Sequence, residues 1–347
     1  MNPAFDINYN KSVPFILEKL NVCILLTTYQ ASKLIIISAE NQQLRQTPIT
    51  LKKPMGIAID GTKLAVACID ELRFFSKNEK TAPFVNMGHY QYDPIYLQRA
   101  TYHTSTLDVH DIAFGDGMIW GINTLFSCIS VFDINHSFKP KWKPPYISEL
   151  VPEDRCHLNG MVMQDGIPKY VTALSMDNEK QGWRKNKLNS GVLIEVPSGD
   201  IILSGLSMPH SPRYYENELY LLESGLGRLI KVNLKENKIE VVFDFNCFIR
   251  GLTFNHEIAF IGKSQIRETS TDFNHLSIKD NSKNAGVILF CMKTYTVLGE
   301  INYTADIQEL YDVQVIENAP NALIITNEIE EYNDIITYPG NVFKKKQ

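Results

Sequence analysis

The stretch from residue 210 to residue 244 reads HSPRYYENELYLLESGLGRLIKVNLKENKIEVVFD. Its runs of β-branched and aromatic residues predict four strands, over 212–215, 219–222, 229–233 and 239–243. Polar turn segments separate these strands at 216–218 and 235–237. Four short antiparallel strands within 35 residues are typical of one blade of a β-propeller.

The beginning of this unit recurs along the chain. Each copy is a short apolar strand, a tight turn and a second apolar strand, as in the stretches 55–59 and 63–67. The copies begin 40 to 61 residues apart, a spacing that is typical of propeller blades. Six residues open the copies, and we call them the ring residues: Met55, His110, Asn159, His210, Arg250 and Tyr311.

The two ends of the chain predict how the ring closes. Strands predicted over 23–28, 34–38 and 44–49 lack an opening strand, and strands over 312–316 and 323–326 lack followers. Building one blade from both ends removes the exposed sheet edges. We therefore predict an all-β, six-bladed propeller with one shared blade. Seven blades are the alternative, if the N-terminal strands form a blade of their own.

The propeller is predicted to be a single domain over residues 21–330. Residues 1–20 would form an N-terminal arm or a short helix, the helix over 13–20, and residues 331–347 a C-terminal tail. Two long polar insertions, 175–190 and 265–284, each follow the second strand of a blade, so we expect both on one face.

Bulk composition describes an ordinary globular protein, with 44% hydrophobic and 21% charged residues. A net charge of −5 predicts no nucleic-acid partner. No apolar segment approaches the roughly 18–20 residues of a membrane span, so no membrane partner is expected. Six scattered cysteines without a C-x-x-C pair predict buried, reduced thiols and a cytoplasmic protein.

The ring residues are unusually polar for positions beside a central channel. His110, Asn159 and His210 are the candidate ligands of a divalent transition metal of unknown identity, because imidazoles favour such ions over calcium. An individual histidine near a turn is more often a structural hydrogen-bonding residue, and that alternative stays open.

Arginines are the second group of polar residues that could bind a ligand. Arg213, Arg250 and Arg267 are candidates for holding an anionic group, since the guanidinium fork matches carboxylate and phosphate. Salt bridges to neighbouring acids are the competing interpretation. Glu223 and His157 are the candidate acid–base groups, although Glu223 would equally pair with Arg228.

Four motifs resemble those of an uncharacterised bacterial family of predicted β-propellers, and the resemblance covers residues 15–326. They are Thr28-Tyr29-Gln30-Ala31-Ser32-Lys33-Leu34, Pro152-Glu153-Asp154-Arg155-Cys156-His157-Leu158-Asn159-Gly160, Leu206-Ser207-Met208-Pro209-His210-Ser211-Pro212-Arg213 and Ile266-Arg267-Glu268. This resemblance implies the propeller fold and no particular activity.

The chain is more distantly similar to the six-bladed gluconolactonase, senescence-marker and strictosidine-synthase group. Metal ligands of that group open inner strands, and Asn159-Gly160 matches its Asn-Gly element. The glutamate opener has no counterpart here, and His110, His210 and Arg250 stand where other ligands are expected. That departure argues against an oxygen-only calcium site.

Two classes of function follow from these residues. The preferred hypothesis is a propeller with a polar site at the central channel that binds a small polar or anionic molecule, with metal-assisted hydrolysis or isomerisation if it is an enzyme. The alternative is a non-catalytic module that binds a protein or peptide. The aromatic surface for that alternative would come from Tyr90, Tyr92, Tyr96 and Tyr102.

Overall fold

The computed structural model describes residues 5–78, 80–85, 91–266 and 276–345. The first strands and the first helix are β1 (Ile7–Tyr9), α1 (Ser12–Leu20), β2 (Val22–Thr28), β3 (Lys33–Glu40) and β4 (Gln43–Thr50). Blade 1 follows with β5 (Ile57–Asp60), β6 (Lys63–Ala67), β7 (Glu71–Lys77) and β8 (Ile95–His103). Blade 2 contains β9 (Val109–Gly115), β10 (Met118–Asn123), β11 (Cys128–Val131) and β12 (Lys139–Trp142).

The second half of the chain continues the same order. Blade 3 contains β13 (Leu158–Gln164), β14 (Ile167–Ala173), β15 (Gly191–Glu195) and β16 (Ile201–Leu206). Blade 4 contains β17 (Pro209–Tyr215), β18 (Glu218–Glu223), β19 (Arg228–Asn233) and β20 (Lys238–Asp244). Blade 5 contains β21 (Ile249–Asn255), β22 (Ile258–Lys263), β23 (Gly286–Cys291) and β24 (Thr296–Tyr303). The C-terminal elements are β25 (Val313–Glu317), β26 (Leu323–Ile325), α2 (Glu330–Asp334), β27 (Ile335–Tyr338) and β28 (Asn341–Lys344).

Strand pairing shows a six-bladed propeller with a shared closing blade. β25 pairs antiparallel with β2, so blade 6 has the order β25-β2-β3-β4 and combines both ends of the chain. The innermost strands contact one another in the closed cycle β5, β9, β13, β17, β21, β25 and back to β5. The six-bladed prediction is confirmed, and the seven-bladed alternative is wrong because the N-terminal strands pair with a C-terminal strand.

The second C-terminal strand is placed differently from the sequence expectation. β26 leaves the closing blade and adds parallel to β8 at the outer edge of blade 1. Leu323 and Ile325 are buried there against Ile95 and Leu97, and this apolar contact explains the placement. In the segment predicted as the tail, β27 and β28 form a hairpin whose Val342 packs on the same cluster.

The core lies between the blades, where the apolar faces of neighbouring sheets meet. One cluster joins blades 5 and 6, and helix α1 covers it through Val13 and Leu17, both fully buried. The helix predicted over 13–20 is therefore present and seals one inter-blade seam. All six cysteines are buried and unpaired, as predicted.

A repeated contact around the channel holds the inner strands in register. The residue after each ring residue alternates between a glycine and a side chain with an oxygen acceptor. Each acceptor accepts a hydrogen bond from a backbone amide of the following blade: Asp111 from Met161 N (3.0 Å), Ser211 from Gly251 N (3.1 Å) and Asp312 from Ile57 N (2.9 Å). These bonds join the six blades in three pairs: blade 2 with blade 3, blade 4 with blade 5, and blade 6 with blade 1.

The intervening glycines allow the pairs to approach each other. A Cβ atom on Gly251 would lie 2.9 Å from Val313 N and 3.1 Å from Asp312 Cα, and its φ of +83° disfavours any L side chain. An added Cβ would lie 3.0 Å from Asp111 Cα at Gly56 and 3.2 Å from Ser211 N at Gly160. Glycine at these positions therefore sets how closely the ring residues gather.

We expect Gly251→Ala to destabilise the protein by about 2 kcal/mol more than Gly205→Ala, because overpacking typically costs about 1–3 kcal/mol. Gly205 has a similar positive φ of +77°, but nothing lies within 4 Å of its added Cβ. The difference between the two variants isolates the steric contact from backbone strain. Urea unfolding measures it, and equal losses would contradict close packing at Gly251.

Candidate functional site

The fold gathers the polar ring residues at one end of the channel. Five of them, His110, Asn159, His210, Arg250 and Tyr311, line a cavity of about 20 Å³ on the axis, while Met55 is fully buried. Asp111, Arg213 and Asp312 complete its walls together with Ser211. A volume of about 20 Å³ suits a single water molecule, which needs roughly 10–15 Å³ on this measure.

The histidines around the channel are all oriented through Nδ1. In His110 and His210 this nitrogen lies 3.0 and 2.8 Å from the carbonyl oxygens of Asp108 and Met208, two residues earlier in each case. In His157 it lies 3.0 Å from both carboxylate oxygens of Asp154. Nδ1–H is therefore the donor in each ring, and Nε2 makes no hydrogen bond with any described residue.

Burial keeps two of these imidazoles neutral. It lowers the pKa of His110 to about 3 and lowers that of His210 well below its ordinary value, with the nearby Arg250 charge acting in the same direction. Burial has the opposite effect on the carboxyl group of Asp312, whose pKa is raised to about 6 even though Arg213 lies nearby. The channel therefore offers uncharged imidazole nitrogens at neutral pH.

The neutral state of His110 predicts a loss of stability in acid. The unfolded chain binds a proton below about pH 6.5 that the folded protein does not bind until about pH 3. The free energy of unfolding therefore falls as the pH drops from 6.5, by about 1.4 kcal/mol per pH unit from this residue. We expect His110→Gln to remove that part of the slope.

Urea unfolding between pH 4 and 8 checks this prediction, with His136→Gln as the control because His136 lies in an exposed turn. Asp312 changes stability in the opposite sense near pH 4–6, but it is present in both variants and cancels from the comparison. Identical pH slopes for wild type and His110→Gln would contradict a neutral, buried His110.

Two donors at the axial cavity have no acceptor among the described residues. Asn159 Oδ1 accepts a hydrogen bond from Thr172 Oγ1 (2.7 Å), while its buried Nδ2 has no partner. The buried hydroxyl of Tyr311 is also unpartnered within this part of the chain. Since buried polar groups normally have partners, these atoms indicate a site that favours an acceptor.

Arg250 differs from the other candidate arginines. Its guanidinium carbon lies 3.6 Å from the centre of the Tyr311 ring, and it forms no ion pair with any described residue. Arg213 is instead committed to Asp111 through two contacts of 3.2 and 3.3 Å. Arg267 lies outside the described residues.

A larger cavity of about 100 Å³ lies at the mouth of the channel, and we call it the mouth cavity. It shares His210, Arg250 and Tyr311 with the axial cavity. Its apolar walls are Leu174, Trp183, Met208, Phe248, Ile266 and Leu310. Its other polar residues are His157, Ser264, Gln265 and Glu309.

Both long insertions contribute to the mouth cavity, which agrees with the prediction that they lie on one face of the propeller. Trp183 comes from the first insertion and Ile266 from the second, and they belong to one buried cluster with Phe248. Sequence reasoning did not single out Phe248 or Ile266 as part of the site. Trp183 is only 4% exposed although its neighbours Arg184 and Lys185 are polar, so local polarity gave no signal of its burial.

Asp154 is a further residue that sequence reasoning did not single out. Its carboxylate accepts the Trp183 indole N–H at 2.8 Å in addition to holding His157. The His157 ring lies against Trp183 with centroids 4.3 Å apart and meets His110 edge-on at 4.7 Å. The spacing of Asp154 and His157, three residues apart in one motif, was the available signal.

Glu223, the other candidate acid–base group, lies elsewhere. It is buried at the end of β18, where Oε1 accepts a hydrogen bond from the Ser207 amide at 3.0 Å. It lines neither the axial cavity nor the mouth cavity. Its predicted partner Arg228 pairs instead with Asp244. Glu223 therefore supports the connection between β16 and β17, in which Ser207 lies.

The metal hypothesis finds limited geometric support. Over residues 5–78, 80–85, 91–266 and 276–345, no group of three or more His, Cys, Asp or Glu side chains is arranged to hold a metal ion. The Asn159 oxygen already accepts the Thr172 hydroxyl. The transition metal predicted at His110, Asn159 and His210 stays a prediction.

The tyrosines expected to form an aromatic binding surface do not form one. Tyr92 and Tyr96 are buried, at 3% and 1% exposure, and Tyr102 packs partly buried beside Phe74. Tyr90 lies outside the described residues. The surface proposed from Tyr92, Tyr96 and Tyr102 is wrong, because Tyr96 and Tyr102 lie in β8 within blade 1 and Tyr92 packs against the covering strand β26.

The ring of six sheets defines the class of this protein as a six-bladed β-propeller. Among solved structures, a chain in the crystal structure of a nidogen/laminin complex matches with a TM-score of 0.52 and 12% identity, covering 86% of this chain and 99% of that one. A protein of unknown function from Bacteroides caccae matches with a TM-score of 0.51 and 10% identity, covering 85% and 98%. At these identities the likeness shows the fold alone.

Residues 11–325 match the family model described as a domain of unknown function, DUF4915, and the chain belongs to that family. No functionally curated protein matches the sequence. The distant similarity to the gluconolactonase group stays a prediction. No helix among the described residues has the length and apolar character needed to cross a membrane.

Proposed function

We propose that this propeller binds a small organic carboxylate in the mouth cavity. Arg250 carries the proposal, because its guanidinium lies in the cavity wall without an ion-pair partner among the described residues. A partly buried cation without a counter-ion favours an anionic ligand, and a guanidinium binds a carboxylate through two parallel hydrogen bonds. The Tyr311 ring holds the guanidinium in place.

The walls define the rest of the ligand. Six apolar side chains, including Trp183 and Phe248, suit a short hydrocarbon portion. The volume of about 100 Å³ corresponds to roughly seven to ten non-hydrogen atoms, at about 10–15 Å³ each. Glu309 also lines the cavity and disfavours ligands with several negative charges. A simple monocarboxylate of five to eight carbons, or a 2-oxo acid of four to seven, fits these limits.

Isothermal titration calorimetry with a series of monocarboxylates from acetate to decanoate, and with the corresponding 2-oxo acids, tests the proposal. Affinity should rise with chain length to five to eight carbons for the simple acids, or four to seven for the 2-oxo acids, and then fall as the ligand outgrows the cavity. Neutral amides of the same length should bind at least tenfold more weakly. Equal affinity for acids and amides, or no binding by any member, would contradict a carboxylate site.

Metal-assisted hydrolysis or isomerisation is the second candidate, supported by the imidazoles whose Nδ1 atoms are held and whose Nε2 atoms are unpartnered within the described chain. Elemental analysis of the purified protein, with His110→Ala and His210→Ala alongside, tests it. Near-stoichiometric metal that both variants lose would support this candidate. Wild-type protein that stays metal-free after reconstitution would remove it.

A further inference from the structure

We infer that His157, positioned by Asp154, is a general base that removes a proton from a carbon atom of the bound ligand. The inference rests on the proposed carboxylate site and assigns it a reaction class, enolisation of a 2-oxo acid. Asp154 and His157 form a carboxylate–imidazole pair beside the same cavity as Arg250. Three observations carry the argument.

The first observation is the geometry of the pair. Both Asp154 oxygens lie 3.0 Å from His157 Nδ1, and the Trp183 indole N–H donates to the same carboxylate at 2.8 Å. The carboxylate therefore fixes the tautomer that has its proton on Nδ1 and leaves a lone pair on Nε2. A carboxylate in this position also stabilises the imidazolium that forms when Nε2 accepts a proton.

The second observation is the exposure of the pair to the cavity. The His157 side chain is 14% exposed and lines the mouth cavity, and its Nε2 makes no hydrogen bond with any described residue. Trp183 covers one side of the ring and His110 meets it edge-on, so the imidazole is held in one orientation. A fixed imidazole that lines a ligand cavity and whose Nε2 has no partner in the described chain has the arrangement that proton abstraction requires.

The third observation is the set of groups that share the cavity with this base. Ser264 is the serine in the described part of the lining. Its hydroxyl donates to the Leu310 carbonyl oxygen at 3.1 Å and accepts from the Leu310 amide at 3.0 Å, so it is already engaged by the backbone. The lining among the described residues includes no cysteine or lysine. These side chains therefore favour proton transfer over covalent catalysis.

The proposed step balances without a co-reactant. With the carboxylate of the 2-oxo acid on Arg250, the C3–H bond breaks and its proton goes to His157 Nε2. The C–H electron pair becomes the C2=C3 double bond, and the carbonyl π electrons move to the C2 oxygen. The Tyr311 hydroxyl, a donor without a partner in the described chain, would stabilise the resulting enolate oxygen. Return of a proton to C3 restores the ketone.

Proton–deuterium exchange at C3 of 2-oxobutyrate in D₂O, followed by ¹H NMR, tests the inference. Wild-type protein should accelerate the exchange, and His157→Gln should lower the protein-dependent rate by about 100-fold or more. Asp154→Asn should lower it at least tenfold, since an amide can present a donor to Nδ1 and so reverse the tautomer. Asp165→Asn, in an exposed turn of the same blade, is the matched control and should leave the rate unchanged.

Calorimetric measurement of 2-oxobutyrate binding distinguishes the carboxylate site from the general-base role of His157. The Asp154→Asn and His157→Gln variants should bind it within threefold of wild type while losing exchange, a split that a purely structural role would not produce. Binding by wild type without accelerated exchange would overturn the general base and leave the carboxylate site standing. Absence of binding would overturn both. Tryptophan fluorescence of each variant verifies that Trp183 stays buried.

Discussion

Replacing Arg250 with glutamine should weaken the binding of small carboxylates by roughly 10- to 150-fold, because charge-assisted hydrogen bonds contribute about 1.5–3 kcal/mol. Glutamine keeps a hydrogen-bonding end but removes the positive charge and the fork geometry. Arg250 forms no ion pair with a described residue, so its loss leaves no buried acid uncompensated. The free energy of unfolding should therefore change by less than about 1 kcal/mol.

Calorimetry with the best-binding acid measures this effect, and Arg228→Gln is the matched control. Arg228 pairs with Asp244 on the surface and lines neither cavity, so its replacement should leave the affinity unchanged. Arg250→Lys should recover part of the affinity, because it restores the charge without the bidentate geometry. A glutamine variant that binds as tightly as wild type would show that the carboxylate lies elsewhere.

Replacing Asp111 with alanine should destabilise the protein by about 3 kcal/mol or more. Asp111 is 6% exposed and accepts hydrogen bonds from the Met161 amide and from both terminal nitrogens of Arg213. Its loss leaves the Arg213 charge without this partner inside the ring, and breaking a buried pair typically costs about 3–5 kcal/mol. It also leaves the Met161 amide without an acceptor in the bond that joins blades 2 and 3.

Urea unfolding measures this loss, and Asp60→Ala is the control. Asp60 is an exposed residue at the end of β5 whose surface pairing with Lys63 is long, at 4.0 Å, so its replacement should change stability by less than about 0.5 kcal/mol. The double variant Asp111→Leu with Arg213→Met should recover part of the loss, because it removes both charges. Equal stability of Asp111→Ala and wild type would contradict a structural role for this pair.

Much of the fold was predictable because its signals are local. Alternating apolar runs between polar turns identify strands one at a time, and the repeat at 210–244 recurs at a propeller spacing. The N-terminal strands lack an opening strand, so their blade needs a strand from the other end of the chain, and β25 is that strand. The placement of β26 was not predictable, because three apolar residues fit any open strand edge and the choice depends on burial against Ile95 and Leu97.

The composition of the site was predictable in part. The repeat alignment identified the polar ring residues, and five of them meet at one cavity. It could not distinguish Arg250 from Arg213, since both are arginines near the start of an inner strand. Only the closed ring decides the difference, because it brings Asp111 of blade 2 within reach of Arg213 on blade 4.

The sequence by itself determined the blades and the polar character of the channel and favoured six blades with a shared closing blade, because each depends on short-range patterns or on a residue's position within a repeat. The pairing of β2 with β25 decided the number of blades. The tertiary structure alone decided which arginine lacks an ion-pair partner in the described chain, which histidine faces a carboxylate and which apolar residues cover the mouth. Those properties depend on contacts between blades, as between Arg213 and Asp111, and on a long insertion folding back, as with Trp183 and Asp154. Residues that are distant along the chain come together only when the ring closes.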